Sequence, residues 1–295
     1  MPMPLQLDPA LLSRLEALRL SVRHLRWGQH LGGRFLINRR GSSIEFADYV
    51  PYAAGDDIRS IDWRLYARLN RLYVKTYKEE IELAVELLVD ATASMGLPSP
   101  EKFRRACEIA LALSYIGLAG RHRVRVSGLA PGGLAASPWH FHRAEIRRIA
   151  GSLDGLAASG RIELPAWTSR AIAALRIRGG QAILISDWMY RPAEVFQALQ
   201  LWLRRHVELK LIQVVSPLEL DPARLVEGGM VVDAETGATH ELAYRPEELT
   251  QAVLEHQELL ARFCKRQGIL FAQHRLDEPL EEFLLSTLPA RGFVQ

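Results

Sequence analysis

Asp90, Thr92 and Ser94 stand at every second position where an apolar run ends, in LLVDATASMG at residues 87–96. Side chains of an extended chain alternate with period two, so a carboxylate and two hydroxyls can face one way there. All three are hard oxygen donors. They suit Mg2+ or Mn2+, which keep several waters and take few protein ligands. Three ligands leave that shell incomplete. Thr168, in PAWTSRAIAAL, and Asp187, in LISDW, are placed to add a hydroxyl and a second carboxylate. Each residue also has a plainer use, because Asp, Thr and Ser are the usual residues at helix entrances. Taken alone, Thr168 reads as a cap and Asp187 as an ordinary strand-end acid. The metal reading rests on their order and spacing within one alternating pattern.

That pattern begins with an apolar strand at 83–90. Ser99-Pro100-Glu101 then opens a helix that runs to Gly120, with Ser as cap, Pro in the first turn and an acid beside the amino end. A strand at 123–129, helices at 143–156 and 168–177, and the strand QAILIS at 181–186 follow. Further on, a helix at 192–205, a strand at 208–215, a hairpin at 230–242, a helix at 246–267, a strand at 269–274 and a helix at 280–288 complete the series. Strands alternating with helices predict a mostly parallel sheet covered on both faces. Ligands of such sheets sit at the carboxyl ends of strands, near the switch in strand order. Asp90 and Asp187 are predicted at two such ends. Ahead of the sheet, Asp8-Pro9 and the leucine spacing over 11–25 predict an amphipathic helix. Residues 27–80 are rich in Gly, aromatics and alternating charges, which predicts short strands and loops.

Bulk properties exclude several classes. The 295 residues carry 48% hydrophobic and 24% charged side chains and a net charge of +3, ordinary values for a globular protein. So small a charge argues against a dedicated nucleic-acid binder. No Gly-x-Gly-x-x-Gly or Walker pattern is present, which predicts no direct nucleotide binding. No secretory pattern or apolar run of spanning length is found, so the expectation is a cytoplasmic protein with no membrane span. Cys107 and Cys264 lie in apolar helical patterns and read as buried free thiols. His140 and His142 alternate, yet no Cys or carboxylate lies close by in sequence to complete a zinc site, and a solvated edge strand is the reading preferred.

The order Asp90-x-Thr92-x-Ser94, then Thr168, then Asp187 resembles the metal-ion-dependent adhesion site of von Willebrand factor A domains. Thr92 stands where that family commonly has Ser, and Ala166-Trp167-Thr168 stands where it commonly has Gly-x-Thr. The segment before the sheet carries Phe46-Ala47-Asp48-Tyr49, Pro51-Tyr52, Gly55-Asp56-Asp57-Ile58-Arg59, Ile61-Asp62-Trp63-Arg64 and Leu72-Tyr73-Val74-Lys75. It is similar to the bacterial domain-of-unknown-function family 58, which joins such a segment to a von Willebrand A-like domain. The resemblance implies a Rossmann-like α/β fold of that type, with a helix and β/loop segment over 1–80 and the sheet domain over 81–295. Asp57, Arg59, Asp62, Trp63 and Arg64 either pin the first segment by Arg–carboxylate pairs or form a partner-binding surface.

The resemblance implies a metal-dependent protein-protein interaction module of adaptor or chaperone-like kind, without enzymatic activity of its own. Its implied partner is a MoxR-type AAA+ ATPase, and the site set is Asp90, Thr92, Ser94, Thr168 and Asp187. Two alternatives stay open. One is a metal-dependent phosphohydrolase, although position 92 is a Thr where that chemistry wants a general acid. The other is a scaffold whose motif binds no metal.

Overall fold

The computed structural model describes residues 4–22, 45–53, 58, 61–78, 83–175, 180–205, 207–221, 230–232, 239–241 and 246–295. The chain divides into two compact units, Met1–Trp27 with Leu83–Gln295, and Gly28–Glu82. The N-terminal helix α1 (Pro9–Leu15) therefore belongs to the larger unit, whereas the sequence groups it with the segment at 1–80.

The smaller unit pairs β1 (Glu45–Pro51) with β2 (Tyr73–Lys78) in antiparallel register. Between them lies α2 (Trp63–Leu69), a helix where strands and loops are expected. Asp62 starts it: its Oδ1 accepts the backbone N–H groups of Arg64 at 2.9 Å and Leu65 at 3.1 Å. Asn70, left-handed at φ 52°, ends it.

The larger unit is built on six strands in the order β10-β7-β6-β3-β4-β5. These are β3 (Ala84–Asp90), β4 (Arg123–Ala130), β5 (Gly133–Ala136), β6 (Gln181–Ser186), β7 (Glu208–Val215) and β10 (Leu270–Arg275). Every neighbouring pair is parallel except β4 with β5. Alternation along the strands feeds two cores. Val85, Leu87 and Val89 of β3, Ile183 and Ile185 of β6, and Ile212 and Val214 of β7 pack on one face with α1, α3 (Glu101–Ala119) and α4 (Ile146–Asp154). Leu88, Ala182, Leu184, Leu209 and Leu211 pack on the other face with α5 (Leu164–Leu175), α6 (Pro192–Leu203) and the carboxyl half of α8 (Pro246–Gln267). A one-turn helix, α7 (Pro217–Leu220), follows β7, and β8 (Met230–Val232) pairs with β9 (Thr239–Glu241) in the expected hairpin. The expected α/β sheet with helices on both faces is the one observed.

Two helices differ from their expected spans. α1 stops at Leu15, and the chain turns so that Leu20 bridges antiparallel to Val294. Backbone bonds between Arg19 and Gln295, and from Ser21 N–H to the Phe293 carbonyl, replace further helix. Residues 23–25 of the expected helix lie outside the described residues. α5 begins at Leu164 with Pro165 in its first turn, so Thr168 falls inside the helix rather than at its start.

Candidate metal centre at the carboxyl edge of the sheet

From β3 the chain passes to β4 on one side, while β6 lies on the other. The carboxyl ends of β3 and β6 are thus the switch point where the physics of open sheets places a ligand. Asp90 is the last residue of β3, and Asp187 follows the last residue of β6.

The turn after β3 stays extended long enough for its side chains to alternate. Thr92 has φ −76° and ψ 164°. Ala91 N–H donates to the Leu129 carbonyl, Ala93 N–H to the Gly160 carbonyl, and Ser159 N–H to the Ala91 carbonyl, each at 2.9 Å. Gly160 permits this approach: its φ is +62°, and a Cβ there would stand 2.6 Å from Pro131 Cγ.

Asp90 is fully buried, and four donors reach its carboxylate. Oδ1 accepts Thr92 N–H at 2.9 Å and the Thr92 hydroxyl at 2.8 Å. Oδ2 accepts the Ser186 hydroxyl at 2.7 Å and the Tyr190 hydroxyl at 2.8 Å. A carboxylate has about four lone-pair directions, so all are engaged. Burial, and next the charge of Asp187, hold the Asp90 carboxyl above its ordinary range. The same burial, followed by Asp90, pushes the Tyr190 phenol upward.

Thr92 Oγ1 lies 3.2 Å from Ser94 Oγ. The single Thr92 proton points to Asp90, so Ser94 is the donor between them, and oxygen lone pairs remain on both hydroxyls. Two ligands at right angles about an ion with bonds of about 2.1 Å stand about 3 Å apart. The hydroxyl pair therefore has the spacing of one edge of a magnesium octahedron, and these residues fit a hard dication. Asp90 acts in this arrangement as the anchor that orients the pair.

Asp187 is held by Met189 N–H at 3.1 Å on Oδ1 and by the Lys102 ammonium at 2.9 Å on Oδ2. Lys102 comes from the first turn of α3, is fully buried, and also meets Glu219 Oε1 of α7 at 2.5 Å. Glu219 Oε2 in turn accepts Ser216 N–H at 2.8 Å in a capping box. Burial raises the Glu219 carboxyl and Lys102 draws it down, with the upward effect larger. Trp188 is left-handed at φ 57°, costly for so large a residue. Its backbone N–H bonds Ser186 Oγ, its indole N–H bonds the Ile212 carbonyl, and His256 Nε2–H of α8 donates to its carbonyl at 2.8 Å. That turn aims Asp187 and Tyr190 to the same edge.

Asp90, Thr92, Ser94 and Asp187 are thus brought to one edge. Thr168 is buried inside α5, and among the described residues no hydrogen bond joins it to the other four. Among the described residues no three His, Cys, Asp or Glu side chains are gathered as a metal centre; the donors here are two carboxylates and hydroxyls. Sequence reasoning missed Lys102, Ser186, Tyr190 and Glu219. Lys102 carried one signal, since a cation in the first turn opposes the helix dipole and calls for a compensating anion.

Of the partner-binding candidates, Asp57 and Arg59 lie outside the described residues. Asp62 is buried, caps α2 and accepts the Tyr49 hydroxyl at 3.0 Å, which is a structural use. Trp63 is 58% exposed, and Arg64 is exposed beside it. His140 is buried rather than on a solvated edge, with Glu145 Oε1 3.5 Å from its Nδ1. Cys107 and Cys264 are buried and free, as expected, and burial pushes both thiols up to about 12.

Residues 48–258 match the family described as "Protein of unknown function DUF58". An uncharacterized protein of Mycobacterium tuberculosis, Rv1480, is 30% identical over 287 residues, covering 92% of this chain and 86% of the relative. Among solved structures, the chain is similar to the conserved hypothetical protein BatB from Bacteroides thetaiotaomicron, with 13% identity, TM-score 0.40, and 71% of this chain and 98% of that one covered. It is also similar to the SpRpn10 VWA domain, with 10% identity, TM-score 0.42, and 71% and 96% covered.

Proposed function

The chain belongs to the DUF58 family, and from that premise we propose that it is a metal-dependent protein-interaction module rather than an enzyme. The observation that carries this reading is the Thr92–Ser94 hydroxyl pair, 3.2 Å apart and oriented by a buried Asp90 at the switch point of the sheet. When bound there, Mg2+ or Mn2+ supplies open coordination positions for a carboxylate of a partner protein. The chain's own residues do the rest. Asp90 holds the Thr92 proton away from the ion, and Asp187 adds negative charge. The left-handed Trp188 fixes Asp187 and Tyr190 at the rim.

A nucleophilic role for Asp90 has less support, because both its oxygens are occupied by hydrogen bonds and position 92 offers no general acid. We propose a MoxR-type AAA+ ATPase as the partner, a reading supported by the family resemblance alone, with ATP hydrolysis on that protein and an adaptor or chaperone-like role here. Among the described residues no helix is long and apolar enough to cross a membrane.

The test is affinity capture from the native lysate with three baits: the chain in Mg2+, the chain in EDTA, and Asp90→Ala in Mg2+. An AAA+ ATPase retained by the first bait alone is the expected result. Equal retention by all three would remove the metal site from the contact.

A further inference from the structure

Lys102 is a fully buried cation placed among carboxylates at the edge of the candidate metal centre. A buried ammonium is costly unless it is paired, and this one is paired twice. The pairing leaves the neighbourhood unbalanced. The ammonium meets Asp187 and Glu219, and Asp90 lies close enough to feel the Asp187 charge, so these three carboxylates and one ammonium leave two negative charges when all are ionised. That remainder equals the charge of one dication.

Lys102 also fixes how Asp187 can act. With Oδ2 on the ammonium and Oδ1 on Met189 N–H, the carboxylate is held by the protein on both oxygens. Each oxygen keeps a lone-pair direction, and the carboxylate's charge would act on an ion held at the hydroxyl pair. The same ammonium fastens α7 through Glu219, so the wall of the site and its charge depend on one side chain.

We propose that Lys102 is the positioning residue of this centre: an internal counter-cation that holds Asp187 in place and sets the site's charge for a dication. The inference rests on the metal reading above. It assigns specificity for ion valence to a residue outside the adhesion motif.

The experiment measures Mn2+ affinity, by the electron paramagnetic resonance of free Mn2+, for the unaltered chain, Lys102→Met, Glu219→Gln and the double variant. Removing the ammonium adds one net negative charge and tightens Mn2+ by about tenfold. Glu219→Gln removes one negative charge and weakens it by a similar factor. The double variant restores the balance and returns close to the unaltered chain. Tb3+, followed by its luminescence, gains more from Lys102→Met than Mn2+ does, since Coulomb energy scales with ion charge. In EDTA, Lys102→Met lowers Tm by about 8 °C, and saturating Mn2+ restores most of it.

Equal Mn2+ affinity in all four proteins would overturn the proposal and leave Lys102 a structural pin. Binding by Lys102→Met but not by the unaltered chain would overturn both the proposal and the metal reading for the natural site, since the ammonium would then bar the ion rather than set the charge for it. Binding by none would overturn both. Should Lys102→Met fail to fold, Glu219→Gln decides alone: unchanged Mn2+ affinity there overturns the proposal, and weakened affinity supports it.

Discussion

Lys210, near the amino ends of the strands, and Lys102, beyond their carboxyl ends, are both fully buried, yet their ammonium groups meet different partners. Lys210 donates to the carbonyl of Ser21 at 2.7 Å and of Phe293 at 3.1 Å, and Glu208 stands 3.9 Å away. It stitches the segment after α1 to the last residues of the chain. Lys102 meets two carboxylates and leaves negative charge over. An ammonium among carbonyls is satisfied by geometry that no added ion improves. One among an excess of carboxylates makes its surroundings responsive to cations. On the proposed metal reading, structure is concentrated at one end of the sheet and chemistry at the other.

The sharpest break of that comparison is Lys210→Met. It leaves the Ser21 and Phe293 carbonyls short of a donor and loosens both ends of the chain. The expected loss is about 3 kcal/mol of unfolding free energy, identical in EDTA and in excess Mg2+. Urea unfolding under both conditions checks it. A Mg2+-dependent loss would mean that the two ends of the sheet are coupled.

The difference between the ends also explains what could be read from sequence. β3, β6 and β7 were legible almost to the residue, because apolar runs, broken only by Glu86 in β3 and by Lys210 and Gln213 in β7, end at Asp90, Ser186 and Val215. The four oxygen residues Asp90, Thr92, Ser94 and Asp187 were legible for a related reason: they follow those runs directly. Lys102, Tyr190 and Glu219 were not, because their meeting depends on strand order and on the turn at Trp188. α1 was overextended since Leu18 and Leu25 keep the helical spacing, while the conformation at Arg19, Leu20 and Ser21 is set by pairing with residues 293–295. Periodicity carries no information about a partner 270 or more residues away. α2 was missed because seven residues give too little period, although Asp62 marked its start.

A second prediction separates proton effects from ion effects on the same sheet. His274 of β10 is fully buried, with Arg105 donating to its Nε2 at 3.1 Å, Glu278 Oε2 3.4 Å from its Nδ1, and the Phe283 ring packed at 4.7 Å. Burial first, and then Arg105, lower its pKa to about 3; Asp277 acts weakly in the other direction. The folded value lies below the unfolded one near 6.5. Its stabilisation is therefore fully present above the unfolded value and is lost as pH falls toward the folded one. Between pH 7.5 and pH 5 the loss is about 2 kcal/mol. Asp90 and Glu219 have the opposite sign, because their raised values favour the folded state as the pH falls. His274→Gln should remove the His274 share and leave the carboxyl share. Unfolding free energy measured at both pH values, in EDTA, isolates the difference. An unchanged pH slope in the variant would assign the acid sensitivity elsewhere.

The smallest expected change in stability falls at the centre of the site. Thr92→Val keeps the shape of the side chain and removes its hydroxyl. Asp90 Oδ1 retains the backbone N–H of residue 92 and loses one donor, so the cost is about 1 kcal/mol. The effect on Mn2+ is disproportionate, because one of two oriented oxygen ligands disappears: affinity should fall by at least about tenfold. Lys210→Met should show the reverse, a large loss of stability with Mn2+ affinity intact. If Thr92→Val bound Mn2+ as well as the unaltered chain, the hydroxyl pair would be a turn device that merely has octahedral spacing. A functional surface would then have to be sought in the smaller unit, at the exposed Trp63 of α2.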